Sequence, residues 1–237
     1  LDWTPGTDSH LGILRRVPIG PVLGITPFNF PLNLVAHKVA PALAAGNSIL
    51  IKPAPQTPLT ALLLGEVVLE AGLPPGALNI LPCDNRVAEQ LVVDPRFKLL
   101  SFTGSAAVGW RLKAKCGKKK VVLELGGNAG VIVEPDADLE FAAQRCAVGG
   151  FGYAGQTCIS VQRIFVHHSI ADLFTMKLLL QVARLKAGDP SDDATVVGPL
   201  IDQAAAHRVE AWVGEAVSQG ARVLLGGKRM GSVMEAT

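Results

Sequence analysis

The chain has 237 residues, 49% of them hydrophobic and 18% charged, which excludes a disordered chain and leaves room for one large core or two modest ones. A net charge of only +2 gives no ground for a nucleic-acid or membrane-surface partner, and no apolar run is long enough to span a bilayer. Its four cysteines (Cys83, Cys116, Cys146 and Cys158) form no CxxC and have no histidine at metal-ligand spacing, so we expect a reduced, cytoplasmic protein without a metal centre.

Leu1 is not an initiator methionine, and residues 1–16 match neither a signal nor a transit peptide. Residues 21–26 read as a short apolar strand. The loop Pro27-Phe-Asn-Phe-Pro31 follows, in which two prolines restrict the backbone around Asn29. The Asn29 amide is then either held in a fixed direction for a ligand or spent on its own turn. Residues 32–45 read as a helix stopped by Gly46-Asn47, and its Lys38 as an exposed lysine unless the preceding loop is a site. Residues 48–52 form a buried-type strand with Lys52 at its C-terminal end, the edge where open α/β sheets bind ligands. Thr57 then reads as the N-cap of a helix with Pro58 at its first position.

Residues 78–81 and 99–103 read as further strands around a helix at 85–93. Gly104 to Gly109 opens another helix with spare backbone N–H groups that suit a diphosphate, although the segment is neither GxGxxG nor a P-loop. Lys118-Lys119-Lys120 reads as a solvated entry to a strand at 120–125. Four or more strand–helix alternations predict a doubly wound, mostly parallel α/β sheet of Rossmann-like type with a nucleotide site at the strand ends. After it come a helix from Leu139, a strand at 161–166, helices at 170–185 and 202–218, and a stretch at 221–227 that opens like a strand and stops. These ends lead us to expect a piece of a longer chain. We place a domain boundary near 127, giving a nucleotide domain over 1–127 and the start of a second α/β domain over 128–237.

Two stretches carry chemistry. Phe151-Gly-Tyr-Ala-Gly-Gln-Thr-Cys158 places a thiol in a glycine-rich loop at the end of a helix, where it can meet a substrate; a lone cysteine is more often a small buried hydrophobe. Upstream, Glu124 interrupts an apolar strand run ending in Gly126-Gly127, and a carboxylate there needs a partner or a use. A thiol and a base are the minimum for covalent catalysis.

Taken together, Pro27-Phe-Asn-Phe-Pro31, Ile51-Lys-Pro53, Phe102-Thr-Gly-Ser105 with Gly109, Glu124-Leu-Gly-Gly127 and the segment ending in Cys158 resemble, in order, the aldehyde dehydrogenase superfamily over essentially the whole chain. The resemblance implies oxidation of a small aldehyde to an acid with NAD or NADP through a thiohemiacetal and a thioester. It implies Cys158 as nucleophile, Glu124 as the base that activates water, Asn29 with the Cys158 N–H as oxyanion hole, and Lys38 in a proton relay. For the cofactor it implies Lys52 at the adenosine ribose, Ser105 at the pyrophosphate, Phe102 and Gly126 near the nicotinamide, and Thr26, Pro27, Phe28, Pro55, Gly104, Gly109 and Leu125 around them.

The resemblance further implies a homo-oligomer and a family chain roughly twice this long, so this fragment alone is expected to turn over little. The missing parts include a downstream Glu-x-Phe-Gly-Pro segment that holds the nicotinamide ribose. Pro55 stands where NAD-preferring members often have glutamate, which predicts tolerance of NADP or a leaning toward it. The pattern is nearer the lactaldehyde and glyceraldehyde-phosphate branches than the betaine-aldehyde branch. Transfer of the acyl group to coenzyme A is an alternative, which Glu124 argues against, and a truncated module without catalysis is another.

Overall fold

Among the described residues, nine strands and seven α-helices follow the alternation read from the sequence. The computed structural model describes residues 5–6 and 11–237; part of the reading of residues 1–16 lies outside them. The chain divides into two compact units. One extends to Thr103 and takes in Gly109–Leu123; the other comprises Gly104–Val108 and Glu124–Thr237.

The first half supplies β1 (Val22–Ile25), α1 (Asn33–Ala44), β2 (Ile49–Lys52), α2 (Leu59–Glu70), β3 (Leu78–Ile80), α3 (Asn85–Val93), β4 (Leu99–Thr103), α4 (Ala106–Lys115) and β5 (Lys120–Glu124). These strands form one sheet in the order β3-β2-β1-β4-β5, with β1 parallel to β2 and β4, and β2 parallel to β3. The order reverses between β1 and β4, and doubly wound sheets bind nucleotides outside the carboxyl ends at such a reversal. Register puts Ile25 level with Lys52 on one side and with Phe102 on the other.

Short apolar runs make the central strands, because a strand covered on both faces has no polar side to show. Val22, Ile49 and Ile51 pack with Val35, Val39, Ala42 and Ala61 of the covering helices. Gly24 in β1 is needed for close approach: a Cβ there would run into Ile51 Cδ1 and lie 3.3 Å from Lys38 Cδ. Gly24→Ala is therefore expected to lower stability by about 1–3 kcal/mol, the usual penalty of overpacking. A urea midpoint unchanged from that of the parent chain would refute this.

The second unit holds β6 (Ala129–Val133), α5 (Leu139–Phe151), β7 (Val161–Val166), α6 (Ala171–Val182), α7 (Gln203–Ser218), β8 (Arg229–Met230) and β9 (Val233–Met234). β6 and β7 pair in parallel from Ala129↔Val161 to Val133↔Val166. Val133, Ala143, Cys146 and Phe174 form a core beneath α5 and α6. Helix starts are fixed by aspartates: Asp138 accepts from Glu140 N and Phe141 N, and Asp202 accepts from Ala205 N at 2.7 Å.

Two local expectations are corrected. Residues 221–227 form no strand: they have no pairing partner among the described residues, and Gly226 and Gly227 both take positive φ before the short β8–β9 hairpin. Thr57 does not cap α2, whose N-cap Pro58 makes no side-chain cap bond; its hydroxyl instead donates to the Phe28 carbonyl at 3.3 Å.

Candidate active site

In the second unit, Cys158 is exposed, whereas Cys116 and Cys146 are buried and Cys83 is half-buried. The reading of Cys158 as a buried hydrophobe therefore fails, while for Cys146, part of the core, it holds. The loop carrying Cys158 leaves α5 and re-enters at β7, and its stem is closed tightly. The Ser160 hydroxyl, itself buried, donates to the Gly150 carbonyl at 3.2 Å. A Cβ on Gly149 would come within 2.8 Å of Val161 Cγ2. Between these ties the backbone passes through three successive left-handed residues, Tyr153 (φ 59°), Ala154 (φ 54°) and Gly155 (φ 70°). Two of them carry a Cβ, and such residues persist only where the surroundings over-determine them. The Gln156 side chain helps, accepting from Ile201 N at 3.0 Å.

Parallel pairing of β6 with β7 brings the Gly127 segment, three residues after Glu124, beside Cys158 despite their separation in sequence. Parallel strands begin at the same end, so the residues entering β6 (Gly127 and Asn128) run beside the segment entering β7 (Cys158 to Ser160). A Cβ on Gly127 would lie 2.9 Å from the Cys158 carbonyl oxygen. Arg163 adds a tie, donating to the Asn128 carbonyl at 2.9 Å. Gly127→Ala must push backbone against backbone and is expected to displace the Cys158 loop, costing about 1–3 kcal/mol. A thermal midpoint and a Cys158 alkylation rate both unchanged would refute it.

Glu124 is exposed, not buried in an apolar run, because β5 is the edge strand of its sheet. Its carboxylate needs no buried partner there. Its backbone carbonyl accepts from Gly104 N at 3.0 Å, tying the Glu124 segment to the turn that holds Ser105, which is exposed just before α4. Leu125 is half-buried and Gly126 exposed.

In the first unit, Thr26 N donates to the Lys52 carbonyl at 3.2 Å, so the ends of β1 and β2 stay in step. Thr26 is buried; Pro27, Phe28 and Asn29 are half-buried, and Pro55 is exposed. The Thr57 bond to Phe28 anchors the loop that carries Asn29. Phe102 is buried in β4 and Gly109 in α4.

Lys38 corrects the expectation of an exposed lysine. It is buried, and its ammonium donates to Ser101 Oγ at 3.0 Å and to Thr103 Oγ1 at 2.8 Å. These acceptors are two residues apart in β4 and so share a face. Lys52 is 3% exposed, and its ammonium donates to Asn85 Oδ1 at 3.2 Å. Burial lowers its pKa, and neighbouring Cys83 and Asp84 pull it back up. Ser101, Thr103, Thr57 and the Asp84-Asn85 pair were not found by sequence reasoning. A usable signal existed for Asp84-Asn85, which follows β3 at the same sheet edge as Lys52. No group of three or more His, Cys, Asp or Glu side chains that could hold a metal, and no helix long and apolar enough to cross a membrane, occurs among the described residues.

The model of the aldehyde dehydrogenase family matches residues 2–237. The 3-sulfolactaldehyde dehydrogenase of Priestia megaterium is 48% identical over 233 residues, 98% of this chain and 49% of that protein. Aldehyde dehydrogenase 21 from Physcomitrella patens, solved with the reaction product succinate, is 50% identical with a TM-score of 0.89, over 92% of this chain and 46% of that one. The glyceraldehyde-3-phosphate dehydrogenase GapN from Methanocaldococcus jannaschii, complexed with NADP, is 44% identical with a TM-score of 0.91, over 93% of this chain and 50% of that one. The chain spans about half the length of the curated relatives it matches. Matched by the family model along nearly its whole length, and with its sheet order and its Cys158 loop in place, this chain belongs to the aldehyde dehydrogenase family.

Proposed function

We propose that the protein carrying this chain oxidises a short aldehyde to its carboxylic acid with NAD or NADP. The observation that carries the proposal is the exposed Cys158, held on a strained and tied loop against the Gly127 backbone in the same segment as Glu124. The similarity to enzymes named for 3-sulfolactaldehyde and glyceraldehyde-3-phosphate supports a short substrate with hydroxyl or anionic substituents.

The donor set fits a dinucleotide. Lys52 offers a nearly buried ammonium at the carboxyl edge of the first unit's sheet for the adenosine ribose, and by the family resemblance the exposed Ser105, just before α4, would meet the diphosphate. The nicotinamide, when bound, supplies the acceptor for the hydride that leaves the substrate carbon.

In this mechanism the Cys158 thiolate adds to the aldehyde carbon, giving a thiohemiacetal whose oxyanion takes a hydrogen bond from the Cys158 N–H; by the family resemblance, Asn29 supplies the second donor. Loss of hydride leaves a thioester on Sγ. Glu124 takes a proton from water, the hydroxide adds to the acyl carbon, and Cys158 leaves as thiolate. The buried Lys38, bonded to two hydroxyls, stands in the relay that the resemblance assigns to it.

The test is formation of reduced nicotinamide by the protein at its native length, over a panel of lactaldehyde, glyceraldehyde-3-phosphate, succinate semialdehyde and an unsubstituted aliphatic aldehyde. Turnover favouring the substituted aldehydes is expected. No reduction with any of them would overturn the proposal.

A further inference from the structure

Pro55 removes the carboxylate that the family resemblance places three residues after Lys52, yet the structure brings another carboxylate to the same lysine from a different loop. β3 lies beside β2 in register, Ile51↔Ile80, and the chain continues past Leu81, whose N–H donates to the Ile51 carbonyl at 2.9 Å. Cys83-Asp84-Asn85 therefore emerges next to the end of β2. Asn85 Oδ1 accepts from the Lys52 ammonium, and Asp84 stands one residue earlier, its negative charge favouring the charged lysine against its burial. Asp84 is exposed and caps α3: its Oδ1 accepts from Val87 N at 2.8 Å. The Asp84 carboxylate makes no other hydrogen bond among the described residues, which leaves Oδ2 to accept from a ligand.

We infer that Asp84, and not residue 55, sets the choice between NAD and NADP in this chain, Asn85 positioning Lys52 while the Asp84 carboxylate accepts from a ribose hydroxyl and repels a 2′-phosphate. The inference rests on the proposed cofactor site and reverses the leaning toward NADP that Pro55 suggests. A lone lysine at the ribose welcomes a phosphate dianion. A carboxylate beside it cancels much of that attraction and gives the NAD hydroxyls an acceptor. The helix cap fixes the carboxylate in place, so discrimination comes from a rigid element and not a mobile loop.

Asp84→Asn isolates the charge, because asparagine caps a helix about as well as aspartate. Dissociation constants of NAD and NADP are measured by calorimetry on the protein at its native length, for the parent, Asp84→Asn and Asp84→Ser, together with thermal midpoints. The parent is expected to bind NAD more tightly. Both variants should lower the ratio of the NADP to the NAD constant by about tenfold, with midpoints held. A parent that prefers NADP, or a ratio unmoved in whichever variant folds, overturns the assignment of Asp84 and leaves the cofactor site standing. Failure of the parent to bind either dinucleotide overturns the cofactor site and this inference with it.

Discussion

Cys158→Ala is expected to abolish the proposed aldehyde oxidation by the protein at its native length and to leave the fold intact. Deleting a covalent nucleophile removes rate on the order of 10⁴-fold or more, since what remains is binding and oxyanion stabilisation without a bond to the substrate. The fold survives because Cys158 is exposed and the loop is held by Ser160, Gln156 and the Gly149–Val161 contact, none of which uses the thiol. A second readout needs no substrate. Burial pushes the thiols of Cys116, Cys146 and Cys83 up, so each has less thiolate at neutral pH than an open cysteine. Iodoacetamide should therefore mark Cys158 first, Cys83 slowly, and Cys116 and Cys146 only after unfolding. Turnover that survives Cys158→Ala, or uniform labelling of all four cysteines, would remove Cys158 from the mechanism.

The sheet was legible because its central strands are short apolar runs, and several helices carry a start or stop signal that the structure uses. Gly46 ends α1 at φ 74°, Asp84 caps α3, and Asp202 caps α7. Strand order was legible as a class through the alternation rule, while register was not, because it depends on side-chain packing between strands distant in sequence.

Lys38 was misread although a signal was present: it falls on the stripe of Val35, Val39 and Ala42, at helical spacing among residues that all become buried. The sequence could not say that Ser101 and Thr103 would meet it. Glu124 was misread in the opposite direction, since nothing local tells an edge strand from a central one. The approach of the Gly127 backbone to Cys158 is a tertiary fact, created by β6 and β7 pairing in parallel from the same end. The glycines of the Cys158 loop were visible, but Tyr153 and Ala154 adopting the left-handed conformation was not, because only the ties around them impose it. The stretch at 221–227 shows the converse: strand-like composition makes no strand where no neighbour pairs with it.

Glu124→Gln divides the reaction at its midpoint. Glutamine keeps the shape of the side chain and leaves the backbone bond from Gly104 N to the Glu124 carbonyl in place, but cannot take a proton from water. Acylation does not need that proton, so the variant should release about one equivalent of reduced nicotinamide per Cys158 in a burst. Steady turnover should then fall by about 10²–10⁴-fold, the range for loss of a general base. Mass spectrometry of the quenched protein should find the acyl group on the Cys158 peptide, and hydroxylamine should release it. The same trapped thioester tests the acyl-transfer alternative. If coenzyme A discharges it as fast as the parent protein turns over, Glu124 is not needed for deacylation and the hydrolytic reading fails. A variant with neither burst nor turnover would place Glu124 before the thioester, in activation of Cys158. Undiminished turnover would leave the Glu124 carboxylate without a part in the chemistry.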